Sequence, residues 1–232
     1  MTDNRSEYRL DHSAAVRPQI YRLLRDRIIR GDLEPGTKIS ESAIALEYLV
    51  SRQPVREVFI RLVEMGLLEV RPQRGTFVRR IVISAVMDAR FVREAIEADI
   101  VRAVLENQDN TALVAELQWQ IVEQGRVAES DPDAFMALDE LFHHTLADAA
   151  GKSYAWEVVE NIKMQMDRVR HISVRCFSRT HVVEQHRAIV EGIAVGNAAA
   201  AEQAMRIHLR GILKDLPGIV KSKADFFEDD QD

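Results

Sequence analysis

The stretch SRQPVREVFIRLVEMGLLEVRPQRGTFV, residues 51–78, decides the fold of the front of this chain. Its first half places Val55, Phe59, Leu62 and Val63 on one helical face. Ser51 stands where an N-cap belongs, and Pro54 falls in the first turn, where its missing N–H costs little. Gly66 stops the helix. The second half alternates apolar and polar residues around a Pro-Gln-Arg-Gly tip, which predicts a β-hairpin.

Upstream, residues 41–49 read as a short helix and DLEPGTKI as a loop with a Pro-Gly turn. A helix is predicted over 15–30, with Val16, Ile20, Leu23, Leu24 and Ile28 on one face and Gly31 at its end; residues 1–14 read as a flexible arm. Helix, helix-turn-helix and hairpin are the layout of a winged helix-turn-helix over 15–80. Beyond it the periodicity predicts about six helices, at 84–107, 110–129, 132–150, 153–175, 179–196 and 198–214. Asp109, Asp131 and Asn197 are candidate N-caps, and Gly151 and Gly196 candidate stops. The expected fold is mostly α: the winged domain, an all-helical bundle over 81–215, and a frayed, charged tail over 216–232.

Composition agrees. Of 232 residues 47% are apolar, with only ten glycines and six prolines, as suits a globular helical protein. A single cysteine excludes internal disulfides, and no apolar run approaches the ~18 residues of a membrane span. We expect a cytoplasmic protein that does not enter membranes. The net charge of −6 is uneven: residues 1–80 hold 15 Lys and Arg against 11 Asp and Glu, the remainder 16 against 26. A basic front on an acidic back suggests that only the front meets a polyanion.

In the helix from residue 52, Arg52, Gln53 and Arg56 project opposite the apolar stripe, near the N-terminus. A recognition helix presents that end to base edges in the major groove, where Arg suits guanine and Gln adenine. Ser51 and the helix N-terminus suit a phosphate, and Arg74 and Gly75 form the hairpin tip. Any one of these arginines, alone, would more often be a solvated surface charge.

In the back half, DELFHH (139–144) sets Asp139 and His143 among Phe135, Leu138, Phe142 and Leu146 on one helical face. Buried carboxylates and imidazoles cost several kcal/mol (roughly) unless paired or bound. His186 shares a stripe with Val182, Ile189 and Ile193, and His208 one with Ala201, Met205 and Ile212. The three histidines and the aspartate either meet at one divalent transition ion such as Zn²⁺ or Ni²⁺, or each satisfies its own neighbour. Arg93 either faces the same pocket or pairs with Glu97 one turn on. His144 reads as solvated, His171 and His181 as peripheral, and His12 lies in the arm.

Residues 20–80 resemble the N-terminal domain of GntR-type bacterial transcription regulators, most clearly in SRQPVRE and RGTFV. The resemblance implies DNA contacts from Ser51, Arg52, Gln53, Arg56, Arg74 and Gly75. It departs from the family pattern at Leu49, where a turn glycine is usual, at Gln53, and in having Ala43 where some members carry a contacting arginine. FMALDELFHHTLADAAGK and EQHRAIVEGIAVGNAAAAEQAMRIHL resemble the FCD effector domain of the FadR subfamily. That implies a metal held by Asp139, His143, His186 and His208, with a small organic or sugar acid as effector and Arg93 opposing its charge. The expected protein is a non-enzymatic, homodimeric repressor on a pseudo-palindromic DNA operator. Alternatives are a sensor of the metal itself or of an acyl ligand, and, further off, a metallohydrolase with a DNA-binding appendage.

Overall fold

Apolar residues three and four apart bring the first helices together. In the computed structural model, which describes residues 10–11, 13–107 and 109–228, α1 (Val16–Arg30) buries Ile20, Leu24 and Ile28. It packs on α3 (Arg52–Glu64), which buries Val55, Val58, Phe59 and Leu62. The expected arm over 1–14 and its His12 fall mostly outside the described residues. At its described end the Asp11 N–H donates to Gln19 Oε1 at 2.8 Å, tying the chain to α1.

The hairpin forms as expected from β2 (Leu68–Arg71) and β3 (Gly75–Val78). The Arg74 N–H donates to the Arg71 carbonyl at 3.0 Å across Pro72 and Gln73. With proline second and Gln73 at φ 60°, this is a type II turn. The loop DLEPGTKI ends in a two-residue strand, β1 (Lys38–Ile39), which pairs antiparallel with β3 to give the order β1-β3-β2. Two residues are too few for alternation to reveal a strand; the partner strand creates it.

Between β1 and α3 lies α2 (Glu41–Glu47), capped by Ser40, whose Oγ accepts from the Ala43 N–H at 3.1 Å. The α2–α3 turn is a Schellman motif: the Val50 N–H donates to the Ala45 carbonyl at 3.0 Å and the Leu49 N–H to Leu46 at 3.3 Å. Leu49 therefore sits at φ 55°, the left-handed position that Gly66, Gly151 and Gly196 occupy at other helix ends. The departure noted at Leu49 leaves the turn geometry intact and puts strain into one residue.

The second unit, Ile83–Ser222, is helical. Its helices are α4 (Ile83–Val104), α5 (Thr111–Val127), α6 (Pro132–Ala149), α7 (Ser153–Ile162), α8 (Met164–Cys176), α9 (Thr180–Ala194), α10 (Ala198–Leu209) and α11 (Ile212–Ser222). Asp131 and Asn197 cap α6 and α10 through their side chains, while Asp109 binds the Thr111 N–H from just outside α5. Phe135, Phe142, Leu146, Trp156, Ile189, Ile193 and Met205 belong to its core. No helix among the described residues is long and apolar enough to cross a membrane.

Two expectations are corrected. The helix predicted over 153–175 breaks at Lys163, whose ammonium turns inward to Glu140 and Asp167. And residues 216–222 are not tail: α11 continues through Pro217 because Leu216 and Ile219 are buried. The chain then rejoins the first unit at Lys223. There the Ile81 N–H donates to the Phe226 carbonyl at 2.8 Å, the Glu228 N–H to Ile81 at 3.0 Å, and Phe227 is buried. Residues 224–228 are thus held rather than frayed.

A left-handed L-residue costs about 1–2 kcal/mol, partly offset by the extra entropy a glycine loses on folding. The Leu49 side chain is 80% exposed, so little packing is lost with it. Leu49→Gly should stabilise the protein by about 0.5–1 kcal/mol in urea denaturation; an unchanged or lower midpoint would show that the turn is unstrained.

Candidate metal centre and adjoining cavity

Asp139 and His143 lie one turn apart on α6, and both are buried because Phe135, Phe142 and Leu146 turn that face to the core. His186 comes from α9 and His208 from α10. These two helices approach closely at Gly192, where an added Cβ would lie 2.7 Å from the Ala201 nitrogen. The structure brings all four predicted residues together: one ligand atom from each lies within 4.8 Å of every other.

Nε2 of His208 is 3.1 Å from Nε2 of His143 and 3.4 Å from Nε2 of His186. The Asp139 carboxylate is 3.9 Å from His143 Nε2 and 3.7 Å from His186 Nε2. Each ring's other nitrogen points away to an oxygen. His186 Nδ1–H donates to Gln124 Oε1 at 2.7 Å, and Gln124 is oriented by its own bond to the Leu138 carbonyl. His208 Nδ1–H donates to Gln185 Oε1 at 3.2 Å, and His143 Nδ1 contacts the Glu97 carboxylate. With all three protons on Nδ1, three Nε2 lone pairs face one another beside a carboxylate. A cation at their focus turns that repulsion into attraction. Donors ~2.1 Å from one ion lie about 3.0–3.4 Å apart for right-angled to tetrahedral geometry, which the histidine spacings match. The donor set can therefore hold a divalent ion, and Gln124, Gln185 and Glu97 are the outer partners that fix metal-binding tautomers.

Electrostatics favour the neutral form of His186 and His208. Burial pushes His186 down to about 3 and His208 well below the usual histidine value, with neighbouring histidines lowering both further; Asp139 pulls the other way. Burial would raise the Asp139 carboxyl, but Arg170 and the three histidines outweigh it and hold the group well below the usual range. Glu97 is likewise desolvated yet held at about 2 by Arg93 and His143.

A cavity of about 70 Å³ adjoins the cluster, room for a few water-sized groups. Arg93, Asp139, Arg170, Ser173, Gln185 and His208 are among the groups lining it. Arg93 contacts Glu97 through Nε and is one of the residues lining the cavity; its Nη2 is buried without a hydrogen-bond partner. Arg170 contacts Asp139 and binds Asp167 at 3.1 Å, and Lys163 bridges Asp167 and Glu140. Sequence reasoning missed Arg170, although Met166, Arg170, Ser173 and Val174 form an inward stripe of α8. It also missed Gln124, on the Leu117–Ile121 face of α5.

The other histidines stay apart. His144 is half exposed near Asp148, His171 lies near Asp133 and Arg175, and His181 lines the cavity from an exposed position. In the first unit, Ser51, Arg52, Gln53, Arg56, Arg74 and Gly75 are all exposed. Ser51 occupies the N-cap position of α3 without a capping side-chain bond. Arg52 reaches Glu41 at 3.4 Å and Gln53 donates to Glu57, while Arg56 and Arg74 have no ion-pair partner among the described residues.

Residues 17–78 match the pattern of the bacterial regulatory proteins of the gntR family, and residues 88–211 that of the FCD domain. The HTH-type transcriptional repressor RspR of Escherichia coli K12 is 35% identical over 231 residues, 97% of this chain and 99% of that protein. An HTH-type transcriptional regulator in an unstable DNA locus of Streptomyces ambofaciens is 37% identical over 92% of this chain and 90% of its own. A crystal structure titled as a transcriptional regulator GntR from Rhodococcus sp. RHA1 superposes with TM-score 0.71 at 26% identity, covering 87% of this chain and 97% of that one. These relatives are described as transcription regulators, not enzymes.

The α9–α10 contact that joins His186 to His208 can be tested against a neutral glycine. Gly125, inside α5, has nothing within 4 Å of an added Cβ. Gly125→Ala should stabilise by about 0.5–1 kcal/mol, whereas Gly192→Ala should destabilise by about 1–3 kcal/mol. Thermal melts in which both variants moved the same way would remove the steric constraint.

Proposed function

The chain belongs to the gntR family of bacterial regulatory proteins and carries an FCD domain, and from that premise we propose that it is a repressor controlled by a small carboxylate bound beside a metal ion. The observation that carries this is the convergence of three imidazole Nε2 atoms and Asp139 on one point, next to a cavity that Arg93 helps to line. Asp139, His143, His186 and His208 would hold Zn²⁺ or Ni²⁺, ions suited to imidazole with one carboxylate. The ion supplies a Lewis-acid anchor for the effector.

Glu97, Asp139, Glu140, Asp167 and Asp215 lie at or around the cavity with Arg93, Lys163 and Arg170, and a divalent ion would balance the two negative charges in excess. The Arg93 guanidinium is the group to meet the carboxylate, while the α4, α5 and α9 side chains keep the imidazoles oriented. A cavity beside the cluster favours a sensed acid over the metal as sole signal.

On the DNA side, Arg52, Gln53 and Arg56 would read bases from the N-terminal turn of α3. Ser51 would take a phosphate, and Arg74 and Gly75 would meet the backbone or minor groove. We take the active form as a homodimer on a pseudo-palindromic operator. Trp119 and Val122, more than half exposed one turn apart on α5, are apolar surface that a second copy would cover. The effector acts by binding one arrangement of the dimer better than the other, lowering operator affinity.

Two variants separate the parts. On DNA selected by the wild-type protein from a random pool, Arg56→Ala should lose about 1–3 kcal/mol of affinity and relax specificity at one position; unchanged binding would take Arg56 off the interface. His208→Ala should lose metal by elemental analysis and lose its effector response, yet bind DNA as before; full metal occupancy would remove His208 from the ligand set.

A further inference from the structure

Resting on α3 as the helix that enters the major groove, we infer that Leu49 is a further specificity-determining residue, whose side chain reads the 5-methyl group of a thymine at the edge of the operator half-site. Among the described residues only two other than glycine have positive φ, Leu49 at 55° and Gln73 at 60°. Both are exposed, and both adjoin the DNA-contact candidates: Leu49 comes two residues before Ser51, and Gln73 directly before Arg74. Strained residues cluster at functional sites, where the strain is retained for what the side chain does.

Folding gives the Leu49 side chain nothing to do. It is 80% exposed. The two hydrogen bonds of the α2–α3 turn come from the backbone N–H groups of Leu49 and Val50, and a glycine at 49 would make the same bonds. The apolar contact that accompanies a Schellman motif belongs to the positions of Val50 and Ala45, not to that of Leu49. A leucine here thus shows an apolar side chain to solvent on backbone that glycine would adopt with less strain. Leu46, in the last turn of α2, is 76% exposed and extends the apolar surface.

Position decides what covers it. Consecutive Cα atoms are 3.8 Å apart, so that of Leu49 lies at most ~7.6 Å from that of Ser51 and ~11.4 Å from that of Arg52. A helix that carries Arg52 and Gln53 to base edges carries Leu49 to the rim of the same groove. Of the base edges in that groove, only thymine presents a methyl group. Arginine and glutamine supply hydrogen bonds for guanine and adenine, and the leucine supplies the apolar contact that a thymine takes.

The test uses the full chain and the DNA it selects from a random pool. Each thymine of one half-site is replaced in turn by uracil, which pairs identically but lacks the methyl. For the wild type one replacement should weaken binding about fourfold, the worth of one buried methyl-sized group. Leu49→Gly and Leu49→Asn, both suited to left-handed backbone, should bind the thymine DNA about three- to tenfold more weakly. In both variants that uracil replacement should change binding by less than about 1.5-fold, while Leu49→Met should keep the sensitivity. A Leu49→Gly protein that melts later yet binds DNA more weakly separates recognition from folding. Wild-type affinity in both variants overturns the inference. So does a loss that no uracil replacement modulates, which is the mark of a deoxyribose contact, and so does uracil sensitivity that survives in both. Arg56→Ala tests the premise separately. If it weakens binding while the Leu49 variants do not, Leu49 alone leaves the interface. If it binds like the wild type, or no DNA is selected, α3 loses its reading role and the inference falls with it.

Discussion

Three imidazoles and an ionised carboxylate buried at one point are the constraint around which the second unit is built. None of these groups is at ease in an apolar interior, and each is kept there by a partner on another helix. α4 supplies Glu97, α5 Gln124, α8 Arg170 and α9 Gln185. Moving any of these helices relative to α6 would strand a polar atom. The bundle's arrangement is therefore set by directional bonds as well as by the apolar core of Phe135, Phe142, Ile189 and Met205. Phe142 reinforces the orientation, stacking on His186 with centroids 4.1 Å apart.

The same groups explain why a helix ends where periodicity does not end it. Lys163 sits in an uninterrupted apolar pattern, yet the chain breaks there because its ammonium serves Glu140 and Asp167. Asp167 in turn holds Arg170, which holds Asp139. A chain of alternating charges thus runs inward from the α7–α8 break to the candidate metal ligands. It would couple the backbone geometry at that break to occupancy of the centre.

Much of this was legible from spacing. A spacing of four from Asp139 to His143 put both on one face, and the stripes through His186 and His208 pointed them inward. What spacing could not supply was convergence, which depends on how α9 and α10 approach at Gly192. Arg170 and Gln124 were missed because arginine and glutamine on a helix usually mark the solvated side, although both lie on stripes whose other members are buried. β1 was invisible because it exists only through its neighbour, and α11 because Pro217 reads as a stop when local signals alone are weighed. In the first unit the winged layout followed from caps, periodicity and turn residues, and a left-handed leucine did not disturb it, since the Schellman hydrogen bonds outweigh one strained residue.

The return of the chain at Lys223 makes the helical unit an insertion within the first unit, entered after Val82 and left after Ser222. A fragment ending at Val82 would leave Ile81 without the cover of Phe227 and Arg79 without its bond to Glu228. During synthesis the N-terminal unit emerges first but is completed last, after about 140 intervening residues have been made. A nascent chain thus lacks the finished form of its front unit until the sensing part is already off the ribosome, so premature termination yields no fully assembled front unit.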